Sequence, residues 1–466
     1  MARRGSVGYG GANPQLTVYP LRHSTMPSAA SFRRQVAATS LALLVLGAVD
    51  SARPASDSEL AATILADTHL PAVLADARTL VKSGLSAGGR YPEVWIRDLN
   101  TFIDLALDAD SGPEIRRALL GFFHFQTDDD GVPDGYVPRD SPAGIKGTWT
   151  SPTLPEAVAF KNTVETDQET SLVQAVARYV TRSGDRAFLD EVVAGLPVRD
   201  RLGRALLFPL THRFSETHQL IWGATTIDWG DVQPETRAGV YFAEGTSHPA
   251  IDVYDNAMFL LASEAYGRVP GRSGDVGSRI ARAADRIRRE VRAQLWDARR
   301  RKFHPHVYLA GSPFPGDFDE ERIYYAGGTA VAIEAGLLTD KEIRRALDDM
   351  TTNQHRAGAG SIGLTVYPAY PAGFFMNPII TDYGYQNGGD WPWFGARMVQ
   401  QLLAHGFAAE AYDALRPMVM RAERDHGFFE WYTLAGEPRG SNAYRGSAGQ
   451  VGRAIEMLLE WAQKHR

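Results

Sequence analysis

Residues 380–406 read ITDYGYQNGGDWPWFGARMVQQLLAHG. The second half is a helix face, because Met398, Val399, Leu402 and Leu403 recur at the three- and four-residue spacing of an apolar stripe. The first half gathers Tyr385, Gln386, Asn387, Trp391 and Trp393 around a Gly-Gly pair at the helix start. Such a cluster is either aromatic core filler or the floor of a pocket for a flat, hydroxyl-rich ligand.

The same periodicity recurs outward in both directions. It marks Leu172, Val173, Val176, Tyr179 and Val180 in SLVQAVARYV, and Val451, Ile455, Leu458 and Leu459 in GQVGRAIEMLLEWA. Helical stretches are expected near 57–67, 70–82, 96–109, 113–126, 167–183, 186–194, 252–267, 276–296, 327–336, 340–350, 391–405, 408–424 and 446–464. Long loops rich in Gly, Pro, Asp and aromatics separate them at 127–165, 210–250, 300–325, 353–390 and 425–446. Loops of that length in a compact protein usually carry function. Their recurrence after every second helix predicts an all-α fold, a closed ring of helical hairpins. KFHPHVYL is expected to add short strands.

Composition narrows the chemistry. The 466 residues are 44% hydrophobic and 22% charged with a net charge of -6 and no long basic run, which argues against nucleic acid as a partner. The absence of cysteine removes disulfides, thiolate nucleophiles and Cys-based zinc sites, leaving hydroxyls, carboxylates and histidines. Residues 1–55 differ from the rest. Arg33 and Arg34 precede an apolar run from Val36 to Val49 and small residues near Ala52, the layout of an export signal, with Met26 a candidate start. That run is too short for a comfortable permanent span. Residues 56–466 are expected to form the catalytic domain, and the protein to be exported to the periplasm or beyond.

Three loops place carboxylates beside aromatics at or near helix starts. YPEVWIRDLNTFIDLAL sets Trp95, Arg97 and Asp98 where an apolar helix begins, with Arg97 and Asp98 facing the loop side; a first-turn salt bridge is the alternative. WGATTIDWGDVQPE holds Asp228, Trp229 and Asp231; a carboxyl beside an indole is partly desolvated and can stay protonated as a general acid, whereas in a solvated Asx turn it would not. HGFFEWYTLAGEPRGSNAYRGSAG sets Glu430 between Phe429 and Trp431. Acid-catalysed glycosyl transfer needs two carboxyls on opposite faces of a sugar, and a ring of hairpins brings distant ones together.

Four of these stretches occur in the order found in the six-hairpin glycosidases, the (α/α)6-barrel group. YQNGGDWPW resembles a segment of neutral/alkaline invertases and amylo-1,6-glucosidases, and FFEWYTLAGEPRGSNAYRGSAGQVGRAI is similar to the invertases' PEYYD loop and following helix. VWIRDLNTFIDLAL resembles their early Arg-Asp helix start, and VETDQETSLVQAVARYVTRSGD a later helix of that group. α-Glucosidase I and trehalase-like hydrolases share the barrel. The resemblance covers roughly residues 90 to 462. It implies Asp231 as general acid, Glu430 as general base, and Arg97 with Asp98 gripping hydroxyls in the innermost subsite. Tyr385, Gln386, Asn387 and Trp391 would line the same pocket, with Trp95, Asp228, Trp229, Trp393 and Trp431 also in the substrate-binding set. Asp390 stands where the invertases carry a small residue, and it is expected to read a hydroxyl or a positive group. His248 matches a family histidine only loosely.

The expected reaction is inverting, exo-acting hydrolysis of α-linked glucosides or short oligosaccharides, with neither organic cofactor nor metal. A disaccharide phosphorylase, using Arg439 and Arg445 to hold phosphate, and a non-catalytic glycan-binding barrel are the alternatives; a uronate lyase would want a basic cleft. Two further motifs have other readings. Asp128, Asp130 and Asp134 have calcium-like spacing, but Pro133 stands at the glycine position of such a loop, so Asp134 and Tyr136 are expected at a cleft rim. His304 and His306 share one face of a possible strand without a third ligand in view, which favours a surface loop.

Overall fold

The computed structural model describes residues 56–141, 148–224, 227, 229–230, 233–234 and 241–466. The expected export segment and both candidate acids, Asp228 and Asp231, lie outside the described residues.

Thirteen helices are present among the described residues: α1 (Asp57–Ala66), α2 (His69–Lys82), α3 (Ile96–Asp108), α4 (Gly112–His124), α5 (Gln168–Ser183), α6 (Val198–His212), α7 (Val253–Gly267), α8 (Gly274–Glu290), α9 (Ala326–Glu334), α10 (Asp340–Ala357), α11 (Pro392–Ala404), α12 (Ala408–Arg424) and α13 (Arg445–Lys464). Their packing closes a ring. α3 lies on α5, α5 on α7, α7 on α9, α9 on α11, α11 on α13, and α13 returns to α3. The even-numbered helices α2 to α12 back this inner ring from outside. The result is the all-α (α/α)6 barrel.

Sequence polarity sorts the two rings. In α9 every residue from Ala326 to Ile333 is buried, as an apolar helix enclosed on all sides must be. α8 buries only Ile280, Ala283 and Ile287, and α10 only Ile343, Ala346 and Met350, the single stripes of helices that face water. Chain lengths sort the two ends. Inner helices pass to outer ones through short links such as 109–111, 335–339 and 405–407, whereas 125–167, 213–252, 291–325, 358–391 and 425–444 return from outer to inner. The long connections therefore all sit where the inner helices begin.

Those connections form small antiparallel pieces. β1 (Val94–Trp95), β2 (Gly135–Pro138) and β3 (Ala157–Phe160) make a three-stranded sheet in that order, which sets Trp95 opposite Gly135 and Gly135 opposite Phe160. One apolar cluster runs from Ala61 to Ala462, and a second, around Ile227, Phe314, Tyr325 and Tyr370, lies under the loops. No helix among the described residues is long and apolar enough to cross a membrane.

Three elements differ from the periodicity reading. α6 is absent from that reading, because Pro209 and a charged run of Arg199, Asp200, Arg201 and Arg204 mask its buried Leu202, Ala205 and Leu206. Residues 186–194 form a 3-10 turn, Arg186–Asp190, and then the hairpin of Val192–Val193 and Leu196–Pro197, since a short segment between helices has too few apolar positions to hold a helix. α10 runs to Ala357, seven residues past its expected end. Its last turn is polar but is closed by Gly358 in the left-handed conformation.

Ring closure depends on close approach of α13 to α3. A Cβ on Gly449 would lie 2.3 Å from the Phe102 Cβ and 2.5 Å from its Cα, so only hydrogen fits there. Gly449→Ala is expected to cost about 1–3 kcal/mol through overpacking. Gly274→Ala, whose Cβ meets nothing within 4 Å, is the control. Urea midpoints of the two variants against the parent check this, and equal midpoints would show that the contact relaxes freely.

Candidate active site

Where the inner helices begin, a cavity of about 180 Å³ opens, small beside the clefts of several hundred Å³ that take drug-sized ligands. The starts of four inner helices supply its wall: Trp95 to Asp98 at α3, Asp167 and Gln168 at α5, Trp391 and Trp393 at α11, and Tyr444 at α13. Loops add Tyr91, Asp134, Phe160, Asn162, Glu165, Trp229, Tyr385, Gln386 and Glu430. Helix N-termini carry partial positive charge and unpaired N–H groups, so carboxylates collect there at little cost.

Each carboxyl has a different environment. Arg97 donates from Nε to Asp167 at 2.6 Å and from Nη2 at 3.1 Å, and pairs with Glu165 at 2.5 Å. Burial opposes its charge, but the two carboxylates outweigh burial and hold the guanidinium well above its ordinary pKa. Tyr254 also donates to Asp167, at 2.8 Å. Arg97 is thus committed to this wall. Asp134 accepts from Gln168 Nε2 at 2.5 Å and from the Asn162 amide at 2.9 Å. Desolvation pushes it up to about 7 against the pull of Lys161 and Arg97, so it exchanges its proton near neutrality.

Glu430 is buried at the cavity wall and held from two sides. The Ser441 amide donates to Oε2 at 3.0 Å, and the Tyr91 hydroxyl lies 3.2 Å from both carboxylate oxygens. Its own amide donates to the Ser441 carbonyl at 3.0 Å. Gly440, at φ +73°, makes room for this, since a Cβ there would lie 2.3 Å from Oε2. Tyr444 donates to Asp98, and burial together with the Asp98 and Glu430 charges drives its phenol well above the usual value. Tyr444 therefore links the Asp98 and Glu430 sides of the pocket.

The aromatic floor is a packed unit. Trp229 lies 4.9 Å from Trp391 and 5.5 Å from Trp393, both edge to face, and the Trp391 indole N–H donates to the Tyr385 carbonyl at 2.9 Å. Trp393 Nε1 has no hydrogen-bond partner among the described residues. The Gly-Gly pair serves the turn. Gly388 sits at φ +90°, and a Cβ on Gly389 would lie 2.3 Å from the Tyr385 carbonyl.

Of the residues singled out from sequence, the cavity wall brings together Trp95, Arg97, Asp98, Trp229, Tyr385, Gln386, Trp391, Trp393 and Glu430. Three others need correction. Asp390 lines no part of it. Fully buried, it pairs with Arg421 at 2.6 Å and accepts from the Ser361 amide and hydroxyl, which leaves it no hydroxyl to read. Asn387 is spent on the loop, bonding the Tyr370 amide and the carbonyls of Tyr370 and Thr381. Trp431 packs beside Tyr385, ring centres 6.3 Å apart, outside the wall. Arg97, expected to grip hydroxyls, lines the cavity with Nε and Nη2 turned to Asp167 and Glu165.

Sequence reasoning overlooked Tyr91, Asn162, Glu165, Asp167, Gln168 and Tyr444. Their signal was available: VETDQ sets two carboxyls ahead of an apolar helix, as WIRD does. Elsewhere, Asp130 pairs with Arg204, so the calcium-like loop is used internally. Among the described residues, Asp297, His304 and Glu321 form one cluster of metal-ligand type, but Arg300 and Lys302 already sit beside its carboxylates. His306 turns to a different carboxylate, Glu320. His248 Nδ1 lies 2.8 Å from the Gly311 carbonyl.

No family model matches the chain, and no curated protein matches it in sequence. Solved structures do match it in fold. The chain is similar to the GH63 mannosylglycerate hydrolase from Thermus thermophilus in complex with glucose, at 16% identity and a TM-score of 0.57, over 83% of this chain and 99% of that one. It is similar to the rhamnosidase from Klebsiella oxytoca with rhamnose bound, at 14% identity and a TM-score of 0.52, over 84% and 64%. A third is the GH78 family rhamnosidase of Bacillus sp. GL1, at 14% identity and a TM-score of 0.50, over 83% and 34%. These are six-hairpin barrels, and the likeness is one of fold.

Asp134 yields a pH prediction. Its folded-state pKa, about 7, exceeds that of the unfolded chain, so its contribution to stability is full below about pH 4 and is lost as pH rises through about 7. Asp134→Asn is expected to flatten stability against pH over that window, read from urea midpoints at several pH values. A slope identical to the parent's would mean that Asp134 ionises in the fold as it does in the unfolded chain.

Proposed function

We propose that this protein is an inverting, exo-acting glycoside hydrolase. The observation that carries the reading is Glu430, held in a small cavity by Tyr91 and the Ser441 amide, with Asp98 and edge-to-face indoles on the same wall. A pocket of that size suits one terminal sugar ring, which favours exo attack. The neighbours in fold, one with glucose and one with rhamnose bound, support a sugar as the ligand.

In this reading Glu430 takes a proton from a water on one face of the sugar. The water oxygen bonds to the anomeric carbon as the bond to the glycosidic oxygen breaks, and a protonated carboxyl on the other face donates to the departing oxygen. Configuration inverts, so an α-glucoside or short α-linked oligosaccharide yields β-glucose. We assign the acid to Asp231, with Asp228 the alternative. The support is the sequence DWGD, in which Asp231 follows by two residues an indole that lines the cavity. An inverting pair is expected about 6.5–9.5 Å apart. The developing positive charge on the sugar is favoured by the surrounding carboxylates.

Water is preferred over phosphate as the acceptor for a specific reason. The two arginines that a phosphorylase reading would use are committed elsewhere: Arg439 pairs with Glu437 at the surface, and Arg445 bonds the Leu80 and Ser86 carbonyls and the Ser83 hydroxyl.

Glu430→Gln and Asp231→Asn are each expected to lower kcat by at least ~10³-fold with the far-UV spectrum unchanged. The Asp231 variant should lose less on substrates whose leaving group needs no proton. Turnover of α-linked disaccharides without phosphate, followed by NMR of the first-formed anomer, checks the reaction class. Full activity in either variant rejects that residue's role, and turnover that requires phosphate rejects hydrolysis.

A further inference from the structure

Positive charge is gathered on one side of the barrel. Between Arg272 and Lys302 the chain carries ten arginines and one lysine against four carboxyl groups, whereas its formal net charge is -6. Within α8, Arg279, Arg282, Arg286 and Arg289 follow at three-, four- and three-residue spacing, so they stand on one flank along about 15 Å of helix. The buried Ile280, Ala283 and Ile287 lie on another face, and Arg279, Arg282 and Arg289 are exposed. The surplus continues into the hairpin of Trp296–Asp297 and Lys302–Phe303, whose turn exposes Arg299, Arg300 and Arg301. That hairpin belongs to the 291–325 connection, at the end of the barrel where the cavity opens.

Some cations of this stretch serve the fold. Arg288 donates to the Ala335 carbonyl at 2.7 Å, Arg292 pairs with Glu342 at 2.8 Å, Arg300 pairs with Asp297 at 3.1 Å, and Lys302 is buried on the Ile323 carbonyl. Arg279, Arg282, Arg286, Arg289 and Arg299 make no ion pair among the described residues. Asp275 and Asp285 share the exposed side of α8 and offset only part of the charge.

The chemistry of this face selects its partner. A guanidinium is a forked donor that matches phosphate oxygens. No large apolar side chain between 272 and 303 is exposed, so the face has charge but nothing to insert. Groups that read bases or stack on them are missing or engaged: the stretch has no asparagine, Gln294 bonds His218 and Glu290, and Trp296 packs edge to face on Phe303 beneath Arg292. None of these arginines lines the cavity, so their partner lies outside it. A convex outer helix suits a surface whose charges move laterally to meet it. We propose that the arginine face of α8 and the following hairpin docks reversibly on a bilayer that carries anionic phospholipid headgroups. Such docking goes beyond the glycoside reading and does not depend on it.

Co-sedimentation of the full chain with vesicles of phosphatidylcholine, alone or with one third phosphatidylglycerol, tests this. Neutral vesicles give the baseline for any apolar insertion. At ~50 mM salt, partition onto the anionic vesicles is expected at least ~10-fold above that baseline, and it should collapse at ~500 mM, where screening shortens the reach of each charge. The triple variant Arg279→Gln, Arg282→Gln, Arg289→Gln is expected to lose at least ~10-fold of the anionic partition. A second triple, Arg117→Gln, Arg186→Gln, Arg356→Gln, removes the same charge from exposed sites elsewhere and should keep it. Melting curves that match the parent's show that both fold. No preference for anionic vesicles, or equal losses in the two triples, overturns the proposal. So does a DNA duplex that binds the parent more tightly than the vesicles do at the same salt and loses that binding in the first triple, because the face would then serve nucleic acid.

Discussion

Six inner helices that all start at the same end impose the constraint on which the rest of the molecule depends. In a ring of hairpins the inner helices run parallel, so their N-termini, their unpaired amides and the positive ends of their dipoles meet around one axis. That end welcomes carboxylates, and the sequence supplies them there: Asp98 in the first turn of α3, Asp167 just before α5 and Asp252 capping α7. The ring must close for this convergence to exist. Closure comes from α13 meeting α3 through glycines, with Gly449 against Phe102 and Gly452 against Leu105.

Convergence alone would leave a crowd of equivalent acids, and what differentiates them is the company each one keeps. Glu165 and Asp167 share the Arg97 guanidinium, which holds both in the wall. Asp134 is desolvated, which pushes its pKa up to about 7. Asp255, behind the wall, is driven well above the carboxylate range by burial and by Asp252 and Asp167, so it holds its proton. Glu430 accepts from a backbone amide and a phenol, donors that orient it against the cavity. Division of labour among carboxyls is thus a matter of neighbours, not of residue type.

Residues 380–406 show the same logic within one segment. Trp391 and Trp393 reach the cavity, while Asp390, one residue before them, is pulled the other way by Arg421 and ties the loop to α12. Asn387 closes the turn that presents Tyr385 and Gln386. The aromatic cluster is both core and pocket floor: the faces that pack Trp229 against Trp391 also make the wall of the cavity. Breaking Asp390 from Arg421 would leave a buried charge unpaired, which is why such a pair is costly to lose although its making gains little.

Much of this was legible along the chain, because local rules govern it. Apolar spacing marks twelve of the thirteen helices, polarity separates wholly buried α9 from striped α8 and α10, and loop length tells which end of the barrel is elaborated. The carboxylates beside aromatics at helix starts likewise stood out. Which of them are free to act did not, since the deciding partners are remote in sequence: Asp390 and Arg421 are 31 residues apart, Arg97 and Asp167 are 70, and Tyr91 and Glu430 are 339. The sequence by itself therefore determined the architecture and the stock of chemical groups. Only the tertiary structure decided which acid is paired, which is buried and which faces the cavity, because an ionisable group responds to charges and donors within a few ångströms of it in space, wherever they lie in the chain.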